Sequence, residues 1–128
     1  MDTKSAVNTW RGVVIEESLN EKSLLKKVRI IATKISKLEK ENRIMTFHKI
    51  EIPDAEKQEY IENVKKLIKN SFYMHLCKGG EMIVVFKDKV FTFKKSDPEL
   101  LKAREYGKSV GIIAEQMPFE HLVDNPFD

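Results

Sequence analysis

The chain is poor in the residues that mark several classes of protein. Its 128 residues include one cysteine, five glycines, four prolines and one tryptophan. The single cysteine, Cys77, excludes an intramolecular disulfide framework. No apolar run approaches the length that spans a membrane. The polar N-terminal sequence also lacks the apolar segment of a signal peptide, so we expect a cytoplasmic protein with no membrane partner.

The composition is that of one globular domain rich in charge. Hydrophobic residues make up 41% of the chain and charged residues 34%. The length suits a single domain over residues 1–128 that builds its core without disulfides or metals. Within it we expect a disordered N-terminus over 1–8 and a docked C-terminal tail over 112–128. The net charge of +3 permits a nucleic-acid partner but is far from the strong basic field of a dedicated duplex binder.

A meander of three strands is the most regular feature of the sequence. Aromatic and β-branched residues cluster in three short runs, Phe72–Cys77, Glu81–Lys87 and Val90–Lys94. Between the first two runs lies Gly79-Gly80, and glycine tolerates the positive φ of a two-residue hairpin loop. This turn predicts that Cys77 lies opposite Met82. A second loop at Asp88-Lys89 would place Phe86 opposite Phe91.

This pairing divides the meander into two apolar faces. The face of His75 and Cys77 is predicted to be a core floor that helices cover. An antiparallel sheet with one solvated side should be polar on its other face. Here that face is also apolar, so the C-terminal tail, a ligand or a second copy of the chain should cover it. We expect the tail to cover one end and a homodimer interface to cover the rest, formed by Phe72, Met74, Leu76, Ile83 and Val85.

The sequence as a whole predicts both helices and strands, distributed along the chain. A short strand at 12–15 precedes a predicted helix near Leu24, and two alternating runs at 28–36 and 44–52 predict a hairpin. An apolar stripe through Tyr60 and Val64 then predicts a helix, and Pro98 begins another after the meander. The expected fold is α+β, a mainly antiparallel sheet with helices packed on one face. Its β-α-β-β-α-β start matches the ferredoxin-like class, extended by a hairpin and a C-terminal helix.

No complete set of catalytic or metal-binding residues is visible in the sequence. His75 and Cys77 lie two apart on a strand and share a face, which suits a metal site or an activated thiol. The structural reading is favoured, because buried free cysteine usually acts as a small hydrophobe. A zinc site would also require a ligand such as His48 on the neighbouring strand. We therefore predict no catalytic residues, metal or cofactor, and interpret Glu16-Glu17 as the solvent end of the first strand.

A nucleic-acid interpretation rests on lysines interleaved with phenylalanines along the meander. Single-strand binders combine such residues, because lysine meets phosphate while aromatic rings stack on bases. The candidate binding lysines are Lys78, Lys87, Lys89, Lys94 and Lys95. Against this interpretation, the predicted pairing directs Phe86, Phe91 and Phe93 to the core floor.

Three functional hypotheses follow from these patterns. The first is a small non-enzymatic binding or assembly module that forms a homodimer. The alternative is a binding protein for single-stranded nucleic acid, in particular RNA. A thiol- or metal-dependent enzyme built on Cys77 is the third possibility.

Overall fold

The computed structural model describes residues 8–38 and 43–127 of the chain. The disordered segment expected over residues 1–8 falls, except for Asn8, outside these residues. Within these residues the strands and α-helices are β1 (Thr9–Ile15), β2 (Arg29–Leu38), β3 (Arg43–Pro53), α1 (Asp54–Leu67), β4 (Met74–Lys78), β5 (Glu81–Phe86), β6 (Lys89–Lys94), α2 (Pro98–Ser109) and α3 (Phe119–Asp124).

All six strands form one sheet in the order β2-β3-β1-β4-β5-β6. Every neighbouring pair is antiparallel, which confirms the prediction of an α+β protein with an antiparallel sheet. Helix α1 joins β3 to β4 across β1, so β3 and β4 run parallel with β1 between them. No helix among the described residues is long and apolar enough to cross a membrane.

The helix predicted after β1 is replaced by two short 3-10 helices, Glu16–Ser18 and Lys22–Lys27. Ser18 is a residue type that commonly caps a helix N-terminus, but here its hydroxyl donates to the carbonyl oxygen of Ile15, 2.6 Å away. Leu24 is buried in the core, so the apolar residue of this segment is used without an α-helix. With few apolar positions to bury, the segment lacks the stripe that stabilises a longer helix.

The pairing of β4 with β5 is confirmed, and that of β5 with β6 is wrong by two residues. Gly79 and Gly80 both have positive φ, and Cys77 lies opposite Met82. The second turn is Lys87-Asp88, with Phe86 opposite Lys89. Asp88 takes the positive φ of 63°, a conformation that aspartate tolerates better than lysine. Because the shift is by two residues, every side chain keeps its predicted face.

Helices cover both faces of the sheet, so the expectation of helices on one face is wrong. We call the two sides the α1 face and the α2 face. On the α1 face, Tyr60, Ile61 and Val64 of α1 pack in a core with residues of β1, β3, β4 and β5. On the α2 face, Leu100 and Ala103 of α2 pack in a second core whose sheet residues come from β4, β5 and β6. Both faces of the meander are apolar because each carries one of these cores.

The expected dimer interface is covered by the chain itself. Met74, Leu76, Ile83 and Val85 are at most 3% exposed on the α1 face, and Phe72 is half-buried against the same core. The face predicted to be bare therefore lies under α1. The prediction that a second chain covers it is wrong, since the apolar stripe of α1 supplies the cover.

The segment after α2 packs over the α2 face of the meander. Ile112, Met117, Phe119, Leu122 and Val123 are all buried there. Two hydrogen bonds fix this segment to β4 and to the chain preceding it. His75 Nε2 bonds the carbonyl oxygen of Pro126 at 2.7 Å, and the Tyr73 hydroxyl donates to the carbonyl oxygen of Gln116 at 2.6 Å.

Candidate functional site

The α2 face is covered over only half of the sheet. Helices α2 and α3 lie over β4, β5 and β6, whereas β1, β3 and β2 contribute no residue to that core. We call the uncovered part of this face the open half-sheet. It carries Val13, Ile15, Ala32, Lys34, Ser36, Met45, Phe47 and Lys49, none of which is fully buried. This half of the α2 face therefore lies without a helical cover.

Phe47 lies at the centre of the open half-sheet. On the middle strand β3 it faces Ile15 of β1 on one side and Lys34 of β2 on the other. Two residues further along β3, Lys49 lies between Val13 and Ala32. One aromatic ring is therefore bordered by an aliphatic side chain and by two lysines, and it is half-buried.

Basic side chains dominate the polar part of this surface. Beside Lys49, Glu51 of β3 pairs with Arg11 of β1 and with Arg29 of β2 in the strand register. Its carboxylate accepts a hydrogen bond from Arg11 Nε at 2.9 Å. This ion pair neutralises the one acidic side chain that the described strands place on the open half-sheet. Lys34 and Lys49 carry no ion pair in the described structure. The surface therefore presents excess positive charge to solvent.

The segment that contains β2 and β3 has a charge asymmetry that is visible in the sequence. Between residues 22 and 50 it carries nine lysines and arginines against two glutamates, a net charge of +7, although the whole chain carries only +3. The rest of the chain is therefore acidic. A division of charge between parts of a chain is a sign of a polyanionic partner. The small net charge conceals it, and an interpretation based on the total misses it.

Strand β2 forms a long exposed edge beside the open half-sheet. It has ten residues, and the side chains of 29–35 are all exposed. Ile31 is 42% exposed and Ile35 is 69% exposed. Edge strands with unpaired backbone groups readily accept another strand unless charge opposes it. Here Arg29, Lys34 and Lys37 supply such charge.

A polar network holds the hairpin of β2 and β3 to the end of β1. Both carboxylate oxygens of Glu17 accept hydrogen bonds from Thr46, one from its backbone N–H and one from its hydroxyl, each at 2.7 Å. Burial raises the pKa of Glu17, but these two bonds, together with its own backbone N–H and the charge of Lys22, lower the pKa overall. The Glu17 side chain thus supplies a hydrogen-bond partner for the backbone of β3 at the point where β1 ends. The prediction that Glu16 and Glu17 only mark the solvent end of β1 missed this role.

His48 forms the second branch of this network. Its Nε2 lies 2.8 Å from Glu16 Oε1, and its Nδ1 lies 2.8 Å from the Thr33 hydroxyl. A carboxylate only accepts, so Nε2 donates to Glu16, and in the neutral ring Nδ1 accepts from Thr33. A hydroxyl, an imidazole and a carboxylate in series are also the parts of a nucleophilic triad. The pockets on either side of the sheet are lined by other residues, so the series is best explained as a link between β2, β3 and the 3-10 helix.

The structure places His75 and Cys77 in the core and His48 on the opposite face. Burial lowers the pKa of His75 to about 4, although the bond to Pro126 opposes that shift. Burial, with a smaller contribution from Asp124, raises the pKa of Cys77 to about 12. A thiol with so high a pKa is a poor nucleophile. Among the described residues, no group of three or more His, Cys, Asp or Glu side chains could hold a metal.

The five lysines predicted to bind nucleic acid do not form one surface. The strand register places Lys78 and Lys94 at one end of the meander and Lys87 and Lys89 at the other. Lys78 Nζ lies 3.6 Å from Asp54, and Lys95 Nζ lies 2.6 Å from Asp124. Lys87 donates to the carbonyl oxygen of Lys66. These ion pairs and hydrogen bonds are surface contacts within the chain.

The phenylalanines of the meander are also withdrawn from solvent. Phe86 and Phe91 pack edge to face, with ring centroids 5.9 Å apart. Both contact Tyr106 of α2, and Phe93 contacts Phe119 of α3. These rings are therefore part of the second core. Phe47, on β3, is the ring that remains at an uncovered sheet surface.

The two best-formed pockets of the described surface are small. One pocket of about 210 Å³ lies beside α3 and is lined by Arg11, Cys77 and Lys78, among others. The other, about 290 Å³, lies between α1 and β6. Pockets for small ligands usually measure roughly 300 to 1,000 Å³. The geometry therefore favours binding on a surface over binding in a pocket.

Comparison with known proteins gives no independent indication of function. No protein-family model matches the chain, and neither the curated proteins nor the solved structures contain a match.

Proposed function

We propose that the protein is a small non-enzymatic binding module that binds a negatively charged partner on its open half-sheet. The observation that supports it is the uncovered surface around Phe47, where apolar side chains lie beside Lys34 and Lys49. An antiparallel sheet exposed to water on one face should be polar there. Val13, Ile15, Met45 and Phe47 break this pattern, and a partner that covers them accounts for their presence.

A second copy of the chain is a poor candidate for that partner. Copies joined along β2 would bring Arg29, Lys34 and Lys37 of one chain close to the same residues of the other. Like charges that face each other across strands destabilise the pairing. The bare patch that motivated a homodimer lies under α1. We therefore expect a monomer whose partner supplies negative charge.

Binding of a heparin oligosaccharide tests this proposal, because heparin offers charge without bases or a peptide backbone. The Lys34→Glu, Lys49→Glu double variant should lose most of the affinity. For a site with two lysine contacts, the slope of log affinity against log salt should fall by about 2. Titrations at several salt concentrations measure both quantities.

A matched control changes the charge by the same amount elsewhere. Lys102 and Lys108 lie on α2 with side chains 70% and 46% exposed, and each pairs with a glutamate three residues before it. The Lys102→Glu, Lys108→Glu variant should bind heparin with an affinity within about twofold of that of the unsubstituted protein. Equal losses in the two double variants would show that net charge alone attracts heparin, which contradicts a site on the open half-sheet. No binding by the parent protein at low salt would also contradict it.

We extend the proposal to the arrangement of the strands and to the location of the protein in the cell. We infer that the first four strands form a variant of the ferredoxin-like arrangement, in which 3-10 helices replace the first helix. The crossover from β3 through α1 to β4, with β1 between the two strands, supports this inference. We also propose a cytoplasmic location, which the use of a single, buried cysteine supports.

A further inference from the structure

We infer that the partner is a single-stranded nucleic acid, with a base stacked on Phe47 and the phosphate backbone held by Lys34 and Lys49. This inference rests on the proposed function and names the partner of the same surface. Its starting point is the combination of one half-buried ring with two lysines that carry no ion pair in the described structure.

The position of Phe47 suits a stacking platform. It lies on β3, in the middle of the three uncovered strands, and faces Ile15 on one neighbour and Lys34 on the other. Aromatic side chains on open sheets bind bases through their flat faces, and the contact tolerates any base sequence. Ile15 and Met45 border the ring with apolar surface on which the rest of a base can rest.

The two lysines lie at distances that suit a backbone running past the ring. Neighbouring strands are about 5 Å apart, and this is the spacing expected between the backbones of Lys34 and Phe47, which lie opposite each other. Residues two apart on one strand are separated by about 7 Å, which is the separation of Lys49 from Phe47. The Nζ of Lys49 also lies 5.9 Å from the centre of the Phe127 ring, so a second aromatic side chain borders the same surface.

The shape of the surface favours a single strand over a duplex. A duplex hides the faces of its bases, and reading its edges requires an element that enters a groove. The open half-sheet is a surface formed by three adjacent strands, and its ring can contact only an unstacked base. An acidic peptide would satisfy the lysines, but it has no planar group that requires Phe47. The charge therefore selects a polyanion, and the ring selects one with accessible bases.

Binding to four labelled probes separates these partners. The probes are a 12-residue oligouridine, an RNA duplex of equal length, a heparin oligosaccharide and a polyglutamate peptide, each measured by fluorescence anisotropy at one salt concentration. We expect oligouridine to bind at least tenfold more tightly than the duplex or polyglutamate. Equal affinity for oligouridine and the duplex, or tighter binding of polyglutamate, would overturn the inference.

The Phe47→Leu variant isolates the contribution of the ring, because leucine keeps an apolar side chain on the sheet. Stacking of one base contributes about 1 to 3 kcal/mol, which corresponds to a loss of roughly 5- to 150-fold in oligouridine affinity. Affinity for heparin should change less than twofold. Ile44, 57% exposed on the opposite face of the same strand, provides the control, and Ile44→Ala should leave both affinities unchanged.

The outcomes distinguish this inference from the proposed function. If heparin binds through Lys34 and Lys49 but Phe47→Leu leaves oligouridine affinity unchanged, the proposed function stands and the nucleic-acid inference is wrong. If neither probe binds, both are wrong. Backbone amide shifts of the unsubstituted protein with oligouridine give a second readout that depends on no variant. Shifts should concentrate at 13–15, 32–36 and 45–49, and shifts confined to the ends of the meander would overturn the inference.

Discussion

The imidazole of His75 is joined to the last turn of the described chain through a bond from Nε2 to the carbonyl oxygen of Pro126, 2.7 Å long. His75 lies on β4 and is 4% exposed. A carbonyl oxygen can only accept, so Nε2 carries the hydrogen, and the neutral ring satisfies the bond. The contact fixes the end of the C-terminal segment to a central strand.

The burial of His75 predicts a loss of stability in mild acid. The pKa of His75 is about 4 in the folded protein, mainly because of burial, against 6.5 for an ordinary histidine. Between these values the unfolded chain binds more protons than the folded one, so stability rises with pH across this window. Between pH 7 and pH 5, His75 should account for a loss of about 2 kcal/mol. Urea unfolding at the two pH values measures it.

The His75→Leu variant is the control for this prediction. Its absolute stability can fall because the bond to Pro126 is lost, but the difference between pH 7 and pH 5 should shrink by the His75 contribution. Carboxylates contribute equally to both proteins and cancel in the comparison. An unchanged pH dependence in the variant would show that His75 is not the group that titrates.

Cys77 should resist thiol reagents in the folded protein. It is 4% exposed, its Sγ lies 3.4 Å from the carbonyl oxygen of Leu122, and burial raises its pKa to about 12. At pH 8 the thiolate fraction is minute, so labelling must await opening of the segment that contains α3. Labelling should be slow in buffer and complete within minutes in concentrated urea. Fast labelling under native conditions would mean that α3 does not stay on β4.

Gly12 should not tolerate a side chain. A Cβ at this position on β1 would lie 1.7 Å from the carbonyl oxygen of His75 on β4, and backbone cannot yield as a flexible side chain can. We expect Gly12→Ala to destabilise the protein by about 3 kcal/mol or more. Gly80→Ala is a useful comparison, since its Cβ would meet nothing within 4 Å but its φ is 85°. It should lose only about 1 to 2 kcal/mol, as urea unfolding can measure.

Met74→Glu should prevent folding without changing any assembly. Met74 is fully buried under α1, and an unpaired carboxylate there is expected to cost about 5 kcal/mol or more, comparable with the stability of a small domain. Ile44→Glu places the same charge at an exposed position of the same face and should fold normally. Circular dichroism and sedimentation of both variants test the prediction. A folded Met74→Glu monomer derived from a dimeric parent would restore the dimer hypothesis.

The sequence predicts local structure best where pattern and turn chemistry agree. The glycine pair fixed the register of β4 and β5, and the stripe through Tyr60 and Val64 predicted α1 and its buried face. The second turn was misplaced because Asp88, not Lys89, adopts the left-handed conformation. The first helix was overestimated, since capping residues at 18–21 precede too few apolar positions to bury a helical face.

The site was harder to predict because it depends on strand order. Nothing local shows that β1 lies between β3 and β4, so the sequence could not reveal that the α2 face of β1, β2 and β3 is left without a helical cover. The same order separates His48 from His75 and Cys77, and brings Glu17 to Thr46 across 29 positions of sequence. Phe47 lies in an ordinary alternating strand. Only the charge asymmetry between 22 and 50 distinguished its surroundings in the sequence.

The position of Phe127 has a practical consequence for handling the protein. Its ring lies beside Lys49, at the border between the covered and the open parts of the sheet. An affinity tag or fluorescent fusion attached after residue 128 would therefore begin next to a residue that borders the open half-sheet. A basic tag there would add its own attraction for polyanions, and an acidic linker would occupy the lysines. Measurements with C-terminal fusions would report on the fusion as much as on the protein.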